Sequence, residues 1–195
     1  MGPAPTTTLR ETAQAYTAAQ RRVVGAALDL FADHGVGGTS LQMIADHLGV
    51  TKAAIYYQFR SKEEIVVAVA TSELQRLEAT LESAEADGAD AGVREALLAQ
   101  IIELAVERRR AVATLQNDPV IVRFLTEHEA FQQLWLRLYA VLLGPEISQA
   151  DLIRTTVLAA AISGAVGHPF VRYVDDADLQ RELLTIARRL VFPAT

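Results

Sequence analysis

Cysteine is absent from all 195 residues, which excludes disulfide bonds, thiolate metal ligands and thiol redox chemistry carried by the protein itself. Aromatic residues make up only 6% and proline occurs six times, while hydrophobic residues reach 51%. With Ala and Leu recurring throughout, that balance predicts an all-α chain. No apolar run approaches the roughly 18 uninterrupted residues that a membrane span requires, and the stretch 155–166 is short and carries Ser163 and Gly164. Thr, Ala and Pro dominate residues 1–16 without an apolar core. A flexible arm is expected there, and neither a signal peptide nor an anchor. The expectation is a cytoplasmic protein with no membrane partner.

Positive charge is scarce as well, since the formal net charge is −6. Its placement is uneven. Between Arg21 and Lys62 five basic residues face three acidic ones, whereas residues 71–195 hold 12 basic and 18 acidic. Both lysines of the chain, Lys52 and Lys62, fall in the positive stretch. This is the charge pattern of a small nucleic-acid-reading head on an acidic body.

Helix starts are marked by hydroxyl residues. Thr17 with Gln20, Thr39 with Gln42, and Ser61 with Glu64 have the spacing of reciprocal capping boxes, and Thr51 suits a simple N-cap. Gly35 to Gly38 and Gly49 punctuate the intervals. The apolar stripes agree: Val23, Val24, Ala27, Leu28 and Phe31 for a first helix, Leu41, Ile44, Ala45 and Leu48 for a second, Ile55 and Phe59 for a third. Further helices are predicted over about 62–84, 93–109 with a continuation to Asn117, a fresh start at Asp118-Pro119, then 127–143, 149–173 and 178–191.

Leu41 to Phe59 meets the requirements of a helix-turn-helix in order. Ala45 is small where the helices cross, Gly49 permits the turn, Val50 is expected to plug the turn into the core, and Ile55 anchors the second helix. The same spacing also suits a helical hairpin with no DNA role. The surrounding residues Ala27-Leu28-Asp29-Leu30-Phe31, Gly35, Gly38-Thr39-Ser40-Leu41, Ile44-Ala45, the run from Leu48 to Phe59, and Lys62-Glu63-Glu64 resemble the tetracycline-repressor (TetR) family over about 45 residues. The resemblance implies a three-helix DNA-binding domain over 17–61. It also implies a divergent helical domain over 62–195 that binds a small-molecule effector and dimerises through its last two helices.

On that resemblance Thr51 to Phe59 enters the major groove of double-stranded operator DNA. Thr51 and Lys52 offer a hydroxyl and an ammonium, and Ala53 and Ala54 offer methyls for thymine. Tyr56 and Tyr57 suit phosphate, with one expected inward and one outward. Lys62 has a charge for phosphate at a helix start, and Thr39, Ser40 and Gln42 are candidate backbone contacts. Where the family often has His this chain has Gln58, and Ala54 stands where Thr is common.

Other clusters read as structure. Glu127-His128-Glu129 lacks a second His at metalloprotease spacing, Asp175, Asp176 and Asp178 lack the Gly and Glu of a calcium loop, and Arg108 to Arg110 suit a helix C-terminus. No metal, cofactor or catalytic residue is expected, because nucleophile, metal set and phosphate loop are all missing. Phe124, Trp135, Tyr139 and His168 are candidates for the effector pocket, His168 because Pro169 is expected to bend a long helix beside it. The aromatic residues suit plain core better than a pocket. Ala160, Gly164 and Gly167, with Leu183 and Leu190, are candidates for a dimer seam. The reading is a homodimeric repressor released from a palindromic operator by an effector. The alternative is a helical ligand-binding or interaction protein that does not bind DNA.

Overall fold

The computed structural model describes residues 16–88, 90–116, 118–144 and 147–192. Residues 1–15 of the expected arm, and Asn117, lie outside them. The described residues form α-helices joined by short turns. These are α1 (Ala18–Gly38), α2 (Leu41–Leu48), α3 (Lys52–Gln58), α4 (Lys62–Asp87), α5 (Ala91–Glu107), α6 (Arg109–Leu115), α7 (Pro119–Glu127), α8 (Glu129–Leu143), α9 (Gln149–Val166) and α10 (Asp176–Val191).

Local chemistry accounts for most boundaries. Thr17 and Gln20 form the full capping box of α1, each side chain taking the other's backbone N–H. At Gly35 (φ 73°, ψ 162°) the helical conformation of α1 is interrupted, a region open only to glycine. The second start differs from expectation: Ser40, not Thr39, accepts from Met43 N–H at 3.2 Å, and Gln42 turns instead to Asp46. At Ser61 half of the expected box forms, because the Glu64 carboxylate takes the N–H of Arg60 rather than that of Ser61. Asp118 caps α7 with Pro119 at its first position.

One expected helix is too long. The helix from Gln149 was expected to reach Tyr173 but ends at Val166, and a 3-10 turn (Pro169–Val171) follows. A residue before proline is pushed out of the helical region, and His168 (φ −73°, ψ 135°) obeys that rule. Pro169 therefore does not bend α9 from within, and Gly167 stands at the C-terminal cap of that helix.

The chain divides into two compact units, one of residues up to Gln75 with Thr114–Gln132, the other of Arg76–Ala113 with Gln133 onward. The expected division at 61/62 follows the motif, whereas packing gives the start of α4 to the first unit. In that unit Phe31, Ile44, Ala45, Ile55, Ile65 and Val69 are withdrawn from solvent. Each large side chain so buried contributes about 1.5–3 kcal/mol.

In the second unit α10 packs on α5 and α9. Leu179, Leu183 and Ala187, spaced by four, supply its buried stripe against Leu97, Leu98, Ile102 and Val106 of α5 and Leu158 and Ile162 of α9. Leu183, expected at a dimer seam, is only 8% exposed in the single chain, so its own subunit already covers it. Arg188 reaches Glu95 at 2.7 Å, and Arg109 binds the Asp176 carboxylate and the Val174 carbonyl.

A buried carboxylate also shapes this unit. Glu78 is 2% exposed and meets the Arg137 guanidinium at 3.4 Å, while Arg137 also grips Glu85 through two nitrogens at 3.0 and 2.6 Å. Removing the guanidinium takes a charged partner from a carboxylate held in low dielectric. Arg137→Leu is expected to lower unfolding free energy by about 2–4 kcal/mol, and Arg137→Leu with Glu78→Leu to recover part of it. Urea titration of both variants measures this, and a double variant weaker than the single one contradicts the assignment.

Candidate nucleic-acid interface

The small domain holds α3 by one narrow stripe. Ile55 and Phe59 are buried, and Thr51, Lys52, Ala53 and Ala54 are exposed. The Thr51 hydroxyl accepts from Ala54 N–H at 3.2 Å, and Gly49, left-handed at φ 65°, turns the chain from α2 into α3. Val50, expected as a plug, is 38% exposed. Its backbone does the fixing instead, with its N–H donating to the Ala45 carbonyl at 3.0 Å.

The tyrosines depart from expectation: Tyr56 is 49% and Tyr57 87% exposed, so neither points inward. At 100° per residue Tyr57 stands opposite the buried Ile55 and Tyr56 on its flank, and a helix resting on a surface buries only one stripe. The Lys52 ammonium lies 5.8 Å from the Tyr56 ring centroid. One face thus carries a hydroxyl, an ammonium, two methyls and two phenols.

Thr39 is drawn away from any such face. It is 2% exposed, and its hydroxyl donates to the carbonyls of Gly35 at 2.9 Å and Leu30 at 3.2 Å. That corrects the expectation of a backbone contact from its side chain. The Lys62 ammonium is half-buried and donates to the Thr39 carbonyl at 2.8 Å. Ser40 and Gln42 remain exposed.

Behind α3, within the first unit, lies a cavity of about 530 Å³ walled by α1, the end of α3, the start of α4 and α7. Among the expected effector residues Phe124 lines it. Trp135 and Tyr139 pair in the second unit, with ring centroids 5.7 Å apart. His168 is exposed, and its Nδ1 accepts from Phe170 N–H. Tyr16 and Gln20 also line the cavity, and periodicity gave no sign of either, because the walls come from segments a hundred residues apart. Burial raises the Tyr16 phenol above its ordinary pKa. The Glu63 carboxyl is held below the usual range by its own backbone N–H and by Ser61.

Of the expected seam, Ala160 and Gly164 are exposed, and a Cβ added at Gly164 would meet nothing within 4 Å beyond its own stretch of helix. Ile153 (64% exposed), Val157 and Ala161 continue that face, and Leu190 is half-buried.

Residues 23–69 match the family described as bacterial regulatory proteins, tetR family. The HTH-type transcriptional regulator SrpR of Pseudomonas putida is 38% identical over 69 residues, covering 35% of this chain and 32% of that protein. The chain therefore matches about a third of that relative's length. A TetR-like transcriptional regulator from Rhodococcus sp. RHA1 superposes with a TM-score of 0.69 at 20% identity, over 90% of this chain and 97% of that one. The transcriptional regulator FadR from Bacillus subtilis, solved with stearoyl-CoA, superposes with a TM-score of 0.65 at 16% identity, over 90% and 99%. Both share the fold.

Thr39→Val keeps the side-chain shape and deletes the buried hydroxyl. It is expected to lower unfolding free energy by about 1–3 kcal/mol, against roughly 1 kcal/mol for removing the exposed cap in Ser40→Ala. Equal urea midpoints for Thr39→Val and the native chain would count against the role given to that hydroxyl.

Proposed function

We propose, from the match of residues 23–69 to the tetR family of bacterial regulatory proteins, that the chain is a member of that family and a homodimeric transcriptional repressor. It reads a near-palindromic operator with α3 and releases it when a small molecule binds. The observation that carries this reading is the exposed face of α3, where Thr51, Lys52, Ala53, Ala54, Tyr56 and Tyr57 stand clear while Ile55 and Phe59 fix the helix. Thr51 and Lys52 are placed for base edges or phosphate, the alanine methyls for thymine, and the phenols for phosphate.

The effector is a ligand beside Trp135 and Tyr139 in the second unit. The neighbour solved with stearoyl-CoA supports a ligand-binding role for this fold. Such a ligand acts by preferring one arrangement, and α4, whose residues belong to both units, is the element that it biases.

Dimerisation is assigned to the outer face of α9, with Ile153, Val157, Ala160, Ala161 and Gly164, and to Ile186 and Leu190 of α10. This face is apolar and its small residues admit a second helix closely.

Gel shift and footprinting on the DNA adjoining its gene test the core of the reading. A near-palindrome is expected, with half-site centres about one helical turn, or a multiple, apart. No shift, or a single asymmetric half-site, favours the interaction protein instead. Lys52→Ala should weaken binding and flatten the slope of log affinity against log salt by about 0.9. An unchanged slope would remove Lys52 from the phosphate contacts.

Gly164→Arg tests the interface. Because that site is open in the single chain, the variant is expected to fold, yet the charge it inserts between subunits costs on the order of 3–5 kcal/mol. Sedimentation should find a monomer, and operator binding should disappear although α3 is untouched. A dimer with native operator affinity would place the seam elsewhere.

A further inference from the structure

The cavity behind α3 is used neither by the proposed DNA contacts nor by the effector assigned beside Trp135 and Tyr139. At about 530 Å³ it has the size of a small-molecule site. Its lining is of two kinds. Tyr16, Phe59 and Phe124 contribute rings, whereas Glu63, Glu64 and Glu127 contribute carboxylates against the single guanidinium of Arg123. The His128 ring packs on Phe124 with centroids 4.6 Å apart, and its Nδ1 is buried with no hydrogen-bond partner among the described residues. An orphaned buried nitrogen bears its desolvation without return.

We propose that this cavity binds an organic ammonium ion with an apolar body, a primary or secondary amine protonated at neutral pH. The N–H groups of such a ligand bond to the carboxylates and, with a small turn of the His128 ring, which lines the cavity, give its Nδ1 the donor it lacks. Its apolar part and its charge both suit the aromatic walls. An anion meets more carboxylates than guanidinium groups there, and a neutral hydrocarbon leaves the nitrogen unmet. The Glu63 carboxyl, held ionised by its own N–H and by Ser61, adds to the preference for a cation.

The occupant has a direct line to the reading helix. Gln20 accepts from Thr17 N–H through Oε1 at 2.9 Å and donates through Nε2 to the Gln58 carbonyl at 3.2 Å. This ties the start of α1 to the last residue of α3, and Gln20, Gln58 and Phe59 all line the cavity. A bound amine stiffens the end of α3 from inside the DNA-binding unit, independently of an effector in the other unit.

Calorimetry on the full chain with 2-phenylethylammonium, 2-phenylethanol and 3-phenylpropanoate tests the site without DNA, so its failure leaves the operator reading standing. The amine is expected to bind, the alcohol about ten- to a hundredfold more weakly, the difference of a charge-assisted hydrogen bond, and the carboxylate not at all. Glu63→Gln with Glu127→Gln, both exposed side chains, should weaken the amine at least about tenfold, and so should His128→Phe, which keeps a ring on Phe124. Amide hydrogen exchange at residues 55–59 should slow with the amine in the native chain and not in the variants. Absence of amine binding, equal affinity for the alcohol, native affinity in the carboxamide variant, or slowing confined to residues 133–143 would each overturn the proposal.

Discussion

Every polar group of Thr39 is committed, and the seating of the helix-turn-helix rests on that junction. Its N–H donates to the Val36 carbonyl at 3.3 Å, its hydroxyl to Gly35 and Leu30, and its carbonyl receives the Lys62 ammonium from 23 residues away. One buried residue thereby joins the end of α1, the entry to α2 and the first turn of α4. Gly35 makes the arrangement accessible, because its backbone angles deliver the chain to Thr39 in a conformation other residues do not adopt. With the three segments fixed, α2 can bury Ile44 and Ala45, and α3 needs only Ile55 and Phe59 to hold its place.

What the amino-acid sequence discloses is local. Thr17 with Gln20, Gly49, and Asp118 before Pro119 each set a boundary through contacts within a few residues, and each lies where spacing predicts. Errors arise where two local rules compete or where distance intervenes. Thr39 and Ser40 are adjacent hydroxyls of equal capping merit, and burial decided which became the cap. The helix from Gln149 looked continuous by its apolar residues, but Pro169 acted on His168 and ended it first. Leu183 reads equally as inner or outer apolar surface until α5 and α9 are seen to cover it. The cavity was invisible for the same reason: Tyr16, Gln58 and His128 share no periodicity, and only the folded first unit brings them to one wall.

Electrostatics is used sparingly. Lys62, half of the lysine content, is engaged by a carbonyl of its own chain. Little point charge is left on the reading face beyond Lys52, whose ammonium leans over Tyr56. In the proposed DNA contact a face so weakly charged gains less from counterion release than a basic one, and hydroxyls, phenols and methyls carry a larger share of recognition. In the second unit one guanidinium, Arg137, answers both the deep Glu78 carboxylate and the half-exposed Glu85.

The outward residues of α3 owe almost nothing to the fold. Ala53, Ala54 and Tyr57 are exposed, and the helix is secured by a cap at one end and two buried rungs on its reverse. Sequence preference and thermodynamic stability are consequently borne by different atoms. On the proposed role, a lineage carrying this scaffold is free to exchange those outward side chains, and so wander among operators, without passing through an unfolded ancestor. The same independence gives a protein engineer a reading head that can be retargeted one position at a time.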